Sequence, residues 1–327
     1  MELRRLGRSG LAVSRLGLGT MTWGRDTDEH EARDQLEAFV EAGGTLVDTA
    51  ASYGEGASER VLGGMLGTVV PRSDVIIATK AGVTHATGWP SVDTSRRALL
   101  DQLDDSLDRL GLDHVDLWYV QGYTPDVPLD ETLSALDDAV ATGRTRYAGV
   151  SNFGGWQTGW AAAHQAGAPT RTPIVANQVE YSLVQRGVER EVLACAAETG
   201  IGVVAWAPLG RGVLTGKYRT GTPADSRAAS PHLANYVETH LTEWAAQIVA
   251  AVCTAADGLG AQPLEVALAW VRDRPGVSAA ITGARNAAQL RGILKAEELT
   301  LPTEILNVLD EVSAPELDYP EVHDDPR

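Results

Sequence analysis

Asp48, Tyr53 and Lys80 are a carboxylate, a phenol and an amine placed where a fold could gather them, and the chemistry that uses such a set is proton donation to a carbonyl under reduction. Free tyrosine titrates near ~10 and lysine near ~10.4, so at neutral pH the phenol holds its proton too firmly to be a good acid. A lysine cation nearby is expected to lower the phenol's pKa, each unit being worth about 1.36 kcal/mol, while Asp48 holds Lys80 charged and in place. Each residue taken singly has a plainer reading: Asp48 as a loop cap, Tyr53 as a half-buried aromatic, Lys80 as a solvated cation.

The elements around them support the first reading. Thr45 to Val47 is a short β-prone run after Gly43-Gly44, and a helical pattern begins only at about Ala57, so Asp48 and Tyr53 fall at a strand end and in the loop after it. Val75 to Thr79 is a second buried-type strand, and it terminates in Lys80. The same alternation runs through the chain. Strands are expected at about 15–19, 45–48, 75–80, 115–120, 146–150, 174–179, 202–207 and 277–282. Helices are expected at about 29–42, 57–67, 93–110, 130–141, 154–166, 187–199, 262–273 and 286–296.

Eight strand-helix units with no hairpin after residue 20 demand a parallel sheet, and eight favour closure into a (β/α)8 TIM barrel, with residues 1–327 as a single domain. Leu3 to Leu11 reads as an N-terminal β-hairpin, followed by Val13 to Gly19 as the first candidate strand. Some fifty residues between Leu209 and Gln262 form a long insertion after strand seven, with an extra helix at about 237–256. In such a barrel the loops after the strands make the active face, so Asp48, Tyr53, Lys80, Ser151, Asn152 and Arg285 would share one mouth. Gly17-Leu18-Gly19 is no dinucleotide fingerprint, because Thr22 stands where the third glycine would open a helix.

Composition narrows the partners. A net charge of -17 argues against nucleic acid and anionic membranes, so an anionic cofactor needs a local basic patch. Only Lys80, Lys217 and Lys295 among the 27 basic residues are lysine, so Lys80 is not one of a surface crowd. Cys195 and Cys253 lie in alanine-rich helical patterns without metal-ligand spacing, and neither a metal site nor a disulfide is expected. No apolar run approaches a membrane span, and the polar N-terminus is unlike a signal peptide, which leads to a cytoplasmic expectation. Whether copies form a homo-oligomer is not legible.

Four motifs, D-T-A-A-S-Y-G-E-G-A-S-E-R-V-L-G at 48–63, I-A-T-K at 77–80, G-V-S-N-F at 149–153 and A-P-L-G-R-G-V-L-T-G-K at 207–217, closely resemble those of the aldo-keto reductases, in family order. The resemblance runs from about Leu3 to Leu301. It implies an NADPH-dependent oxidoreductase reducing a carbonyl of a small or sugar-like molecule by hydride transfer, with Tyr53 as acid. By the same resemblance, Ser151, Asn152 and Gln178 would hold the nicotinamide carboxamide and Trp206 would stack on the ring. Leu209 to Lys217 resembles the pyrophosphate loop, with Arg211 and Lys217 supplying charge. Gly283 and Arg285 at the start of the last helix, with Gln289 after them, would meet the 2'-phosphate. Ile293 stands where the family often has an adenine contact, which departs from the pattern.

The sharper departure is Gln121, at the end of Asp116-Leu117-Trp118-Tyr119-Val120-Gln121, where the family normally has a histidine. Its amide can donate to a substrate oxygen but cannot titrate. His85 is a candidate substitute. The change leaves two alternatives beside carbonyl reduction: a reductase of a conjugated C=C or an imine, resembling nucleotide-sugar 2,3-enoyl reductases, or a cofactor-binding regulatory subunit with little turnover, resembling potassium-channel β-subunits. Trp23, Trp89, Tyr123 and the insertion are the expected substrate determinants, and the acidic tail carrying Tyr319 and Pro320 could rim the pocket.

Overall fold

Every second residue of a strand points to the same face, and here that alternation fills the inside of a closed ring. In the computed structural model, which describes residues 1–84, 91–223, 226–230 and 233–315, eight parallel strands pair in chain order and close on themselves. They are Leu16–Gly19, Leu46–Asp48, Ile76–Ala81, Val115–Val120, Thr145–Ser151, Ile174–Glu180, Gly202–Trp206 and Val277–Thr282. Closure is made by the last strand on the first, with Ala280 opposite Leu16 and Thr282 opposite Leu18. Parallel neighbours need crossovers, and these are supplied by helices Glu29–Glu41, Ala57–Met65, Arg96–Leu110, Leu129–Ala141, Gly155–Ala166, Val192–Thr199 and Pro263–Arg272, while Ala287–Leu294 follows the last strand.

Two apolar layers result. The larger lies between strands and helices, and the smaller, containing Leu46, Ala78, Leu117, Tyr119, Ala176, Val204 and Ile281, fills the barrel. The interior is packed closely enough that a Cβ on Gly149 would stand 2.6 Å from the Tyr119 ring. One step of two further along the strands, the interior row turns polar: Leu46 leads to Asp48, Ala78 to Lys80, Tyr119 to Gln121, Gly149 to Ser151, Ala176 to Gln178 and Val204 to Trp206. The site is the top layer of the barrel's own filling.

Four details differ from the sequence expectation. Val13 belongs to the N-terminal hairpin, where Leu3–Arg5 pairs with Ala12–Ser14, and the first barrel strand starts at Leu16. Leu6 and Val13 join the interior cluster and plug the lower end of the barrel. A second antiparallel pair follows the third strand, Val83–Thr84 against Ser91–Val92, so the rule of no hairpin after residue 20 fails; two β-branched residues, Val83 and Val92, face each other across it. The insertion carries two helices, Ala234–Glu238 and Glu243–Leu259, because Thr242 accepts from the Ala245 N–H at 3.1 Å and starts the second one afresh. The final helix, Thr303–Val312, had no counterpart in the pattern. Among the described residues no single helix is long and apolar enough to cross a membrane.

Candidate active site

The loop that carries Tyr53 is held from beneath by hydroxyls. Ser58 donates to the Thr20 carbonyl at 2.8 Å and lies 2.6 Å from Thr20 Oγ1 and 3.0 Å from Thr49 Oγ1, all fully buried. The next residue, Glu59, is also fully buried; it accepts from Thr79 Oγ1 at 2.6 Å and from Arg109 Nε at 2.7 Å. Helix Ala57–Met65 is thereby fixed to the third strand one residue before Lys80, and the two loop-bearing strand ends keep their spacing.

Above that frame the three sequence-predicted groups meet. Lys80 Nζ donates to Asp48 Oδ2 at 2.6 Å and to the Thr49 carbonyl at 2.8 Å, and stands 3.4 Å from the Tyr53 hydroxyl. The other Asp48 oxygen, Oδ1, accepts from Gln178 Nε2 at 2.7 Å. Burial works to strip the Lys80 ammonium, but the Asp48 carboxylate and then Tyr53 outweigh it and hold the lysine charged. The expected lowering of the Tyr53 pKa is corrected in sign. Burial pushes the phenol above its ordinary value, Lys80 pulls it down by less, and Asp48 adds to the rise.

A cavity of about 290 Å³ opens over these groups, lined also by Gln121, Ser151, Asn152, Trp206, Leu209, Arg211 and Gly283. Ser151 Oγ donates to the Gln178 carbonyl at 2.8 Å. Asn152, in the left-handed region at φ 58, donates from Nδ2 to the Gln121 carbonyl at 2.9 Å and accepts from Trp206 Nε1 at 2.9 Å. That last bond pins the indole by its edge and leaves a flat face lining the cavity. Gly212, at φ +99, also lines it, and a Cβ there would lie 3.3 Å from Lys217 Nζ, so a cation stands at the rim over a turn without side chain.

A family model described as "Aldo/keto reductase family" matches residues 15–314. The chain belongs to this family. Among its relatives, an uncharacterized oxidoreductase of Bacillus subtilis (strain 168), YrpG, is 36% identical over 95% of this chain and 96% of its own length. A probable voltage-gated potassium channel subunit beta of Oryza sativa subsp. japonica is 34% identical over 96% of both chains. An L-glyceraldehyde 3-phosphate reductase of Escherichia coli O157:H7 is 32% identical over 95% of this chain and 92% of its own. As an aldo/keto reductase the protein is an oxidoreductase that uses a nicotinamide cofactor.

At the residues expected to meet the cofactor's phosphates, this aldo/keto reductase holds pairings that the sequence did not announce. Arg211, in the cavity wall, grips Glu180 with Nε at 2.8 Å and Nη2 at 2.6 Å, donates to the Tyr236 carbonyl at 2.7 Å, and lies 4.0 Å over the Tyr236 ring. His240 Nε2 is 3.0 Å from the same carboxylate, so Arg211 staples the insertion to the sixth strand. The start of helix Ala287–Leu294 is also already served. Asn286 accepts from the Gln289 N–H at 2.9 Å, and Glu31 Oε2 accepts from the Ala287 N–H at 3.1 Å, bringing a negative charge to that end. Gln289 turns its Oε1 back to the Arg285 N–H at 3.1 Å.

Of the expected substrate determinants, Trp23 is fully buried with Nε1 on Gln35 Oε1 at 3.1 Å and serves packing, and Tyr123, partly buried, packs edge-on against Phe153 and Trp156. Ile293 is likewise buried in the helix layer. His85, Trp89, Tyr319 and Pro320 lie outside the described residues. Sequence reasoning missed Met21, Thr22 and Tyr236 in the cavity wall. It also missed Glu180, although its position two residues after Gln178 was a readable signal of a strand-end acid.

Proposed function

We propose that this aldo/keto reductase reduces the carbonyl of a small or sugar-like molecule with NADPH, Tyr53 acting as the acid. The observation that carries the reading is Lys80 Nζ standing between Asp48 Oδ2 at 2.6 Å and the Tyr53 hydroxyl at 3.4 Å under an open cavity. Tyr53 gives its phenolic proton to the carbonyl oxygen as negative charge develops there, and the Lys80 ammonium stabilises the phenolate left behind. Asp48 keeps Lys80 charged through this exchange. The amide of Gln121 donates a hydrogen bond to the same oxygen.

NADPH, when bound, supplies the hydride. The residues fit such a group: Trp206 offers an aromatic face, Ser151, Asn152 and Gln178 surround it with amide and hydroxyl groups, and Leu209 and Gly283 continue the wall. Lys217 at the Gly212 turn suits the pyrophosphate, and the Arg285 side chain suits the 2'-phosphate. The pinned indole fixes where the ring would lie, which is what selects the face that reacts.

A second reading rests on Gln121, which cannot take part in a proton relay: reduction of a conjugated C=C or an imine. Incubating the purified protein with NADPH and, separately, para-nitrobenzaldehyde, a cyclic enone and a cyclic imine separates the two. Carbonyl reduction is expected to dominate; turnover confined to the enone or imine would overturn it.

A further inference from the structure

Gln121 is tied to its neighbours at three points. Its N–H donates to the Ala81 carbonyl at 2.8 Å and its own carbonyl accepts from Asn152 Nδ2 at 2.9 Å, which fixes the peptide to the third and fifth strand ends. The third tie is on the side chain: Ser52 Oγ donates to Gln121 Oε1 at 3.1 Å. Gln121 lines the cavity, whereas Ser52 stands behind it on the loop that carries Tyr53.

A carboxamide has two unlike ends, since Oε1 only accepts and Nε2 only donates. A carbonyl oxygen under reduction presents lone pairs and growing negative charge, so only the Nε2 end can stabilise it, and an amide turned over would set two acceptors against each other. Rotation about the last side-chain bond is soft, which makes the direction of this amide a matter of what holds it. An imidazole in the same place could present an N–H from whichever nitrogen faced the substrate, by changing tautomer. Glutamine presents a donor only while Nε2 faces the substrate; a serine hydroxyl can donate or accept, and it is the observed donation from Ser52 Oγ to Oε1 that leaves Nε2 for the cavity.

We propose that Ser52 is a positioning residue for the reaction, fixing the Gln121 amide with Nε2 toward the cavity so that a non-titrating donor serves the substrate oxygen. The inference rests on the reading of the cavity as a carbonyl-reducing site. Ser52 is not among the residues that line the cavity, so its effect passes through Gln121. The specificity that follows is for substrates whose reacting atom is an acceptor, a carbonyl oxygen rather than a protonated iminium, and the donor keeps its strength at any pH the protein survives.

The test is a double-mutant cycle on NADPH-dependent reduction of para-nitrobenzaldehyde, comparing the parent, Ser52→Ala, Ser52→Thr, Gln121→Ala and the Ser52→Ala/Gln121→Ala pair. Ser52→Ala is expected to lower kcat by about fivefold with little change in KM or in NADPH affinity, the loss of one ordered hydrogen bond. Ser52→Thr, which keeps the hydroxyl, is expected to recover most of that. On the Gln121→Ala background Ser52→Ala is expected to cost nothing further. An equal fivefold loss on that background, or no loss in the parent, would overturn the proposal, the first by showing that Ser52 merely braces the Tyr53 loop.

A readout without turnover keeps the two claims apart. In the NADPH-loaded protein the Nε2 protons of Gln121, assigned by their loss in Gln121→Ala, should show nuclear Overhauser contacts to protons of cavity-lining residues and not to Ser52 Hβ. Contacts to Ser52 Hβ instead would mean the amide is turned the other way, whatever the enzyme reduces. Failure of the carbonyl reading would show as absent aldehyde turnover in the parent while these contacts stand.

Discussion

Gln178 donates from Nε2 to Asp48 Oδ1 at 2.7 Å, so one buried carboxylate is shared between the amide wall of the cavity and, through Oδ2, the ammonium of Lys80. Asp48 is therefore a joint between the groups that would hold a nicotinamide and those that would move a proton. Its two oxygens are both occupied and the residue is almost wholly buried, which leaves it no room to act as the acid itself.

Asp48→Asn keeps the shape of that joint and removes its charge. Lys80, buried and stripped of its countercharge, loses its proton more readily, and the phenolate of Tyr53 loses its stabiliser. Turnover should fall by at least about tenfold at neutral pH, with the folded protein intact. Steady-state kinetics beside a thermal melt check both halves.

The pH dependence follows from the direction of the Tyr53 shift. Reduction needs the phenol protonated, and burial outweighs the pull of Lys80, so the protonated form persists to higher pH than in a free tyrosine. The reductive rate should stay level through neutrality and fall only above about pH 10. A descending limb centred near neutral pH would contradict this.

Glu31 sets a negative charge at the start of helix Ala287–Leu294, on the side where Arg285 would meet a 2'-phosphate. Glu31→Gln keeps an acceptor for the Ala287 N–H and removes the charge. NADPH affinity should improve by about two- to fivefold with NADH unchanged, the usual scale for a charge at a helix end. Fluorescence titrations of both cofactors give the comparison.

The pair Glu59 and Arg109 anchors the helix behind the Tyr53 loop. Glu59→Ala takes away the acceptor of the Thr79 hydroxyl and the carboxylate of the guanidinium, which keeps its bond to Ser106 Oγ, and should cost about 3 kcal/mol in chemical denaturation. Replacing both residues by leucine should recover much of it, because an apolar pair avoids the desolvation of two charges.

The barrel and the polar top layer were legible because both rest on local periodicity. Strand ends at Asp48 and Lys80 and a helix starting at Ala57 can be read within a few residues of each group, and the structure keeps those boundaries to within a residue or two. What escaped was long-range pairing. Arg211 lies 31 residues from Glu180, and Ala287 lies 256 from Glu31, so no spacing rule announces that Arg211 is already paired with a carboxylate or a helix end already acidic. Trp23 looked like a pocket aromatic from its place in a loop, but its burial depends on Gln35 and the packed helix layer around it. The sign of the Tyr53 shift escaped for the same reason: the charge of Lys80 is visible in sequence, while the burial that outweighs it is a property of the closed barrel.

The most direct measurement is turnover and cofactor affinity of Tyr53→Phe, which keeps the ring and removes only the proton. With NADPH and a reducible aldehyde, its NADPH Kd should stay within about twofold of the parent while kcat falls by about a hundredfold or more, the scale of a lost general acid. A Tyr53→Phe protein that turns over within a few-fold of the parent would place the acid on another residue and contradict the reading of Asp48, Tyr53 and Lys80 as one proton-delivering unit.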